Sequence, residues 1–200
     1  FSNVLKLVPK AGIIATIRTG NNFLCKGDTL IREANITGIT GTQGLQWQWS
    51  KDGNEIDGAT SATLELTDIS LEDDGDYSVE ITPLCGAAIV SDTVTLTVNA
   101  LPTAVASSNG PVCEGSTLNL TGTSDIGATF SWTGPNGFSS TDQNPSLTNV
   151  TVSASGTYTF TATTADDCST SGSTVVSIIP NPELEITSSG SATTACVGEL

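Results

Sequence analysis

The chain has 200 residues, a formal net charge of −15, five cysteines and no histidine. All six basic residues (Lys6, Lys10, Arg18, Lys26, Arg32, Lys51) precede Asp52, whereas 19 of the 21 acidic residues follow Lys51, because only Asp28 and Glu33 come earlier. A surface of that sign repels phosphate backbones and anionic lipid, which excludes nucleic acid as a partner and electrostatic docking on membranes; without histidine, Ser-His and Cys-His catalysis is excluded too.

Residues 3–9, Asn3-Val4-Leu5-Lys6-Leu7-Val8-Pro9, read as a strand followed by a proline. Cys25-Lys26-Gly27 follows, and Gly27-Asp28-Thr29-Leu30 leads into the next strand. Leu45-Gln46-Trp47-Gln48-Trp49 alternates at the two-residue period of a half-buried strand, Lys51-Asp52-Gly53-Asn54 is a turn, and Ala62 to Leu66 alternates again. Ile69, then Asp73-Asp74-Gly75-Asp76-Tyr77, precede a strand through Val79, and Thr93 to Val98 forms the last strand before Pro102. After Cys113-Glu114-Gly115 the same order recurs: Leu118 and Leu120, Phe130-Ser131-Trp132, the turn Gly134 to Gly137, Val150, Gly156-Thr157-Tyr158, and Val175 to Ile179.

The Cys-x-Gly pattern occurs a third time at Cys196-Val197-Gly198, with steps of 88 (25 to 113) and 83 (113 to 196) residues. Ile69 precedes Tyr77, and Val150 precedes Tyr158, by the same eight positions. Recurrence at a period near the size of one β-sandwich predicts a tandem array. The expected class is all-β, with tandem sandwiches arranged head to tail. Residues 1–10 are the last strand of a preceding repeat, 11–100 and 101–180 are two whole domains, and 181–200 begins a following repeat. Spaced cysteines without histidine or a Cys-x-x-Cys pair read as disulfides of an extracellular protein, not as a zinc site. No apolar run is long enough to span a membrane, and any export signal or anchor is expected to lie elsewhere.

Trp49 to Gly53 (Trp-x-Lys-Asp-Gly) and Asp73 to Tyr77 (Asp-x-Gly-x-Tyr) resemble the immunoglobulin-like fold. The resemblance makes Trp49 and Trp132 core tryptophans and Tyr77 and Tyr158 the tyrosine corners. Cys113 to Leu118, Trp132 to Phe138 and Ser155 to Phe160 are similar to the immunoglobulin-like or PKD-like repeats of large Bacteroidetes surface proteins of adhesin or gliding-associated type, often exported by type IX secretion. The usual immunoglobulin cysteine positions fall near Ala34 and at Val79, and near Gly122 and at Phe160. The cysteines instead sit at the start of the following strand and after the tyrosine-corner strand. Equal displacement in both domains points to the pairs Cys25–Cys85 and Cys113–Cys168, with Cys196 paired outside.

Other chemistry is sparse. Asp73, Asp74 and Asp76 are calcium candidates, but their spacing is that of turn residues and not of an EF-hand loop; Asp166 and Asp167 are a second acidic pair. Thr29 and Thr93, in Asp-Thr-aliphatic triplets, are candidate O-glycosylation sites of the Bacteroidetes kind. No cofactor and no enzymatic activity are expected. The expected function is a structural or adhesive repeat of a long secreted cell-surface or filament-forming protein. Its partners would be neighbouring repeats and further copies in a filament. The alternatives are a module that binds an extracellular glycan or protein, and an accessory segment of a secreted polysaccharide-degrading enzyme.

Overall fold

Leu30, Arg32 and Ala34 are buried while Ile31, Glu33 and Asn35 are exposed, the alternation that a pleated strand with one covered face imposes. The same pattern governs most strands of the computed structural model, which describes residues 14–18, 20–38, 44–83 and 87–182. The chain divides into two units, Phe1–Ala100 and Leu101–Leu200.

In the first unit, β1 (Ile14–Arg18), β2 (Phe23–Cys25), β3 (Leu30–Thr37), β4 (Gln46–Lys51), β5 (Asn54–Glu55), β6 (Thr63–Leu66), β7 (Gly75–Thr82), β8 (Ile89–Val90) and β9 (Val94–Asn99) make two sheets. One has the order β1-β3-β6. The other has the order β2-β9-β7-β4-β5, with β8 also on β7. Between them lie Leu30, Trp49, Leu64, Ile69, Tyr77, Val79, Ile81 and Leu96, nearly all without solvent exposure. Each such side chain contributes roughly 1.5–3 kcal/mol on removal from water.

The second unit comprises β10 (Val105–Ser108), β11 (Val112–Cys113), β12 (Leu118–Thr123), β13 (Thr129–Thr133), β14 (Ser139–Ser140), β15 (Ser146–Leu147), β16 (Gly156–Thr163), β17 (Ser169–Val176) and β18 (Ile178–Ile179). It repeats the plan, with β10-β12-β15 facing β14-β13-β16-β17, and β11 paired parallel to β18. Leu118, Leu120, Trp132, Tyr158 and Phe160 form its core. Two facing sheets of otherwise antiparallel strands, a buried tryptophan on β4 or β13, and a short second strand (β2 or β11) paired parallel to the last (β9 or β18) define the architecture. Each unit is an immunoglobulin-like β-sandwich.

The structure explains the Cys-x-Gly recurrence. Cys25 and Cys113 close β2 and β11, rather than opening the strand that follows. Asp28 N–H donates to the Cys25 carbonyl (3.0 Å) and Ser116 N–H to that of Cys113 (3.1 Å), so each motif is a tight turn. Its third residue must adopt positive φ, +92° at Gly27 and +85° at Gly115, which glycine does at least cost. Lys26 N–H meets Asn99 O, and Glu114 N–H meets Ile179 O, so each turn is tied to the end of its unit's last strand.

That placement corrects the expected pair Cys113–Cys168. Cys113 lies opposite Ile179, whereas Cys168 precedes β17 in the β16–β17 turn, eleven positions (168 to 179) away along an extended chain. At about 3.3 Å per residue the two are on the order of 30 Å apart, far beyond disulfide reach. The expectation rested on the equal displacement of the cysteines in both domains, but the parallel pairing of β11 with β18 carries Cys113 to the other pole of the unit. Cys85 and Cys196, the strand expected at residues 1–9 and the repeat expected to begin after residue 182 lie outside the described residues.

The usual inter-sheet disulfide is replaced by packing. Ala34 and Val79 are both buried in the first unit. In the second, the Phe160 ring fills the space beside Gly122, where even a methyl group would overlap the ring. Phe160 also stacks with Phe130 (centroids 5.5 Å apart) and lies 5.1 Å from Trp132.

Candidate functional site

The tyrosine corners are built alike. A 3-10 turn, Leu71–Asp73 or Val152–Ala154, precedes each tyrosine strand. Tyr77 Oη donates to Asp73 O (2.8 Å), and Tyr158 Oη to Ala154 O (2.9 Å). The paired tryptophans are satisfied in the same manner, Trp49 Nε1 by Ser61 O (2.8 Å) and Trp132 Nε1 by Gln143 O (3.1 Å). Gly75 and Gly156, two residues before each tyrosine, give room to the Asp52 carboxylate and the Pro135 ring, which a Cβ would meet at 2.7 and 2.8 Å.

Burial, then the neighbouring Asp73 carboxylate, pushes the Tyr77 hydroxyl up to about 12, and burial raises Tyr158 as well. A pKa raised on folding contributes stability that is fully present below the ordinary value near 10 and is lost as pH rises through the folded value. Stability is therefore expected to hold to about pH 10 and then fall toward pH 12. The chain has only two tyrosines, so phenolate absorbance reads both. Its rise should coincide with loss of far-ultraviolet β signal; ionisation near pH 10 with the fold intact would contradict this.

Each carboxylate of the acidic turn accepts hydrogen bonds from nearby backbone or hydroxyl groups. Asp73 caps Ser70 (N–H at 2.7 Å, Oγ at 2.9 Å), Asp74 accepts Val98 N–H (3.0 Å), and Asp76 accepts the Thr95 hydroxyl (2.6 Å). Asp52 accepts Asp76 N–H (2.8 Å), which together with Lys51 holds its carboxyl below the usual range. These carboxylates point to different partners. Among the described residues no three His, Cys, Asp or Glu side chains could hold a metal ion.

Cys25 and Cys168 are both disulfide-bonded, which places the chain in an oxidising, extracellular compartment. Thr29 and Thr93 are exposed. An open groove of about 450 Å³ in the first unit is lined by Leu45, Gln46, Trp47, Gln48, Glu80 and Thr82 among others. Trp47 is partly buried and packs against the core, so the groove offers mainly hydrogen-bonding groups from Gln46, Gln48, Glu80 and Thr82.

Two features escape sequence reading. Arg32 sits on an inward strand position and is 2% exposed. Its only signal was a cation at an apolar position of the alternation. Thr103 and Asp125 form a reciprocal clamp, with Thr103 N–H to Asp125 Oδ1 at 2.8 Å and Asp125 N–H to Thr103 Oγ1 at 3.1 Å. No local pattern joins residues 22 apart.

No protein-family model and no curated protein matches this chain. Among solved structures it is similar to three N-terminal domains of the bacteriophage RB49 highly immunogenic outer capsid protein: 18% identity, TM-score 0.45, 84% of this chain and 59% of that one. It thus spans less than two thirds of that fragment. It is also similar to the insect immune protein hemolin, at 17% identity and TM-score 0.45 over 80% of this chain and 45% of that one. A third likeness is to murine CEACAM1b, at 17% identity and TM-score 0.41, covering 82% of this chain and all of that one.

Proposed function

We propose that this chain is a non-catalytic, structural or adhesive repeat segment of a long secreted surface or filament-forming protein, an extended stalk of units arranged head to tail. The observation that carries this is the junction. Asn99 is held by Lys26 at the end of the first sandwich, and Thr103 is clamped to Asp125 at the start of the second. Only residues 100–102 are left as linker, one of them a proline, so slack is small. Kinship with Bacteroidetes surface repeats rests on the motifs at Cys113, Trp132 and Ser155. Its partners would be adjoining repeats and further copies of the chain.

Small-angle X-ray scattering tests the arrangement. Two units each about 40 Å long, set end to end, give a radius of gyration of about 23 Å, against about 16–17 Å for a compact body of this length. A value at the compact limit would refute the stalk.

A further inference from the structure

We infer that β17 is the strand through which two copies of this chain associate, antiparallel and edge to edge, so that their second units share one continuous sheet. The inference rests on the reading of further copies as partners, but not on the end-to-end arrangement of units.

β17 (Ser169–Val176) ends the sheet β14-β13-β16-β17 and pairs with β16 alone. Thr164 N–H donates to Cys168 O (2.9 Å), which sets the alternation of the hairpin. Thr170, Gly172 and Thr174 therefore bond to β16, while the N–H and C=O of Ser171, Ser173 and Val175 turn away from it. Among the described residues, no backbone group bonds to those outward N–H and C=O groups. β10 approaches from the inner side, where a Cβ on Gly172 would overlap Ala104 O, and so leaves the outer edge open. Ser171 and Ser173 are exposed, and Val175 is 77% exposed.

Free edges are ordinarily blunted by brevity, proline, charge or a bulge. The first unit does this. Its β8 has two residues, Ser91 then binds Val79 through both N–H (2.9 Å) and Oγ (3.0 Å), Asp92 is exposed, and β2 covers β9. β17 runs for eight residues with no proline, no charge and no break.

Charge selects the occupant. Every outward position of β13, β14, β16 and β17 is serine or threonine, except Val175. The acidic residues between 101 and 180, namely Glu114, Asp125, Asp142, Asp166 and Asp167, all lie off these strands. A second copy, repelled elsewhere by its like charge, meets none here. Antiparallel pairing centred on Gly172 sets Ser171 against Ser173 and Ser169 against Val175, each pair exchanging two hydrogen bonds. It also keeps the Asp166–Asp167 turns at opposite ends, whereas parallel pairing would stack them. One strand pair buries less than the roughly 1,200 Å² of a stable interface, so the single contact is weak.

Sedimentation equilibrium of the whole chain, from about 10 μM to about 1 mM, covers that range of affinity. A monomer–dimer equilibrium is expected, tightening as salt screens the net charge of −15. Ser173→Pro removes an outward N–H and spares the bonds to β16, and should weaken dimerisation by about tenfold. Val175→Glu brings a carboxylate toward the other copy's Asp166–Asp167 turn and should weaken it similarly, with partial recovery in salt. Ser131→Gln, on the same face but two strands from the edge, should change nothing. Amides of Ser171, Ser173 and Val175 should gain protection from hydrogen exchange as concentration rises, while those of Gly172 and Thr174 are protected throughout. A monomer at about 1 mM, a dimer whose outward amides exchange freely, or a dimer lost in Ser131→Gln and kept in Ser173→Pro would overturn the assignment. A compact radius of gyration in the dilute monomer would refute the stalk and leave this pairing standing.

Discussion

Gly122→Ala is expected to destabilise the second sandwich by roughly 3 kcal/mol, the upper part of the range for an overpacked core. The new methyl group would overlap the Phe160 ring, with nearby ring carbons at 2.6 Å. The ring cannot swing aside, because Phe130 and Trp132 hold it. Hydrogen exchange of the β16 amides should accelerate while β7, in the other unit, stays protected. Phe160→Leu alone leaves a void, yet in the Gly122→Ala background it should restore part of the loss, a coupling of about 1 kcal/mol or more. A cost below about 1 kcal/mol for Gly122→Ala would show that this pair does not substitute for the missing inter-sheet bond.

Arg32→Met should act in the opposite direction and stabilise the first sandwich by about 1–3 kcal/mol, as replacement of buried ionic groups by packed apolar ones does. Among the described residues the guanidinium is held by neutral oxygens, Asn21 O at 3.0 Å and Asn22 Oδ1 at 2.9 Å, with a long contact to Ile31 O at 3.4 Å, and its Nε has no partner among them. Burial lowers its pKa, which records the cost of keeping the charge there. Arg32→Ala would remove the charge but leave a cavity, and should lose stability instead. Urea midpoints of the two variants separate the effects; Arg32→Met falling as far as Arg32→Ala would mean that the neutral oxygens hold the cation at a net gain.

Much of the fold was legible because it depends on local periodicity and local turns. The roles expected of Trp49, Trp132, Tyr77 and Tyr158 came from the resemblance of Trp49 to Gly53 and Asp73 to Tyr77 to the immunoglobulin-like fold, while the alternation and the glycine two positions before each tyrosine marked only their strands. The Cys-x-Gly glycines were legible as a repeat, although their reason, a positive φ tied to the last strand, needed three-dimensional pairing. What failed was the pole on which each cysteine sits. Spacing along the chain says how many residues separate Cys113 from Cys168, but only the parallel register of Val112 with Ile178 says that they end apart. Arg32 and the Thr103–Asp125 clamp were hidden for a related reason: each depends on partners from distant segments.

The parallel pairing of β11 with β18 also fixes how a unit answers a pull. Tension applied at Thr103 and at Pro180 would drag these neighbouring strands past each other along their length. The Val112–Ser177 and Glu114–Ile179 hydrogen bonds lie across that direction, so they resist together and cannot be opened one at a time like a zipper. In the first unit, Thr97 to Asn22 and Lys26 to Asn99 set the same geometry. A sandwich with no cysteine at the usual inter-sheet positions (Ala34 and Val79, Gly122 and Phe160) would thus carry load through a short shear clamp at its edge, and yield abruptly once that clamp slips.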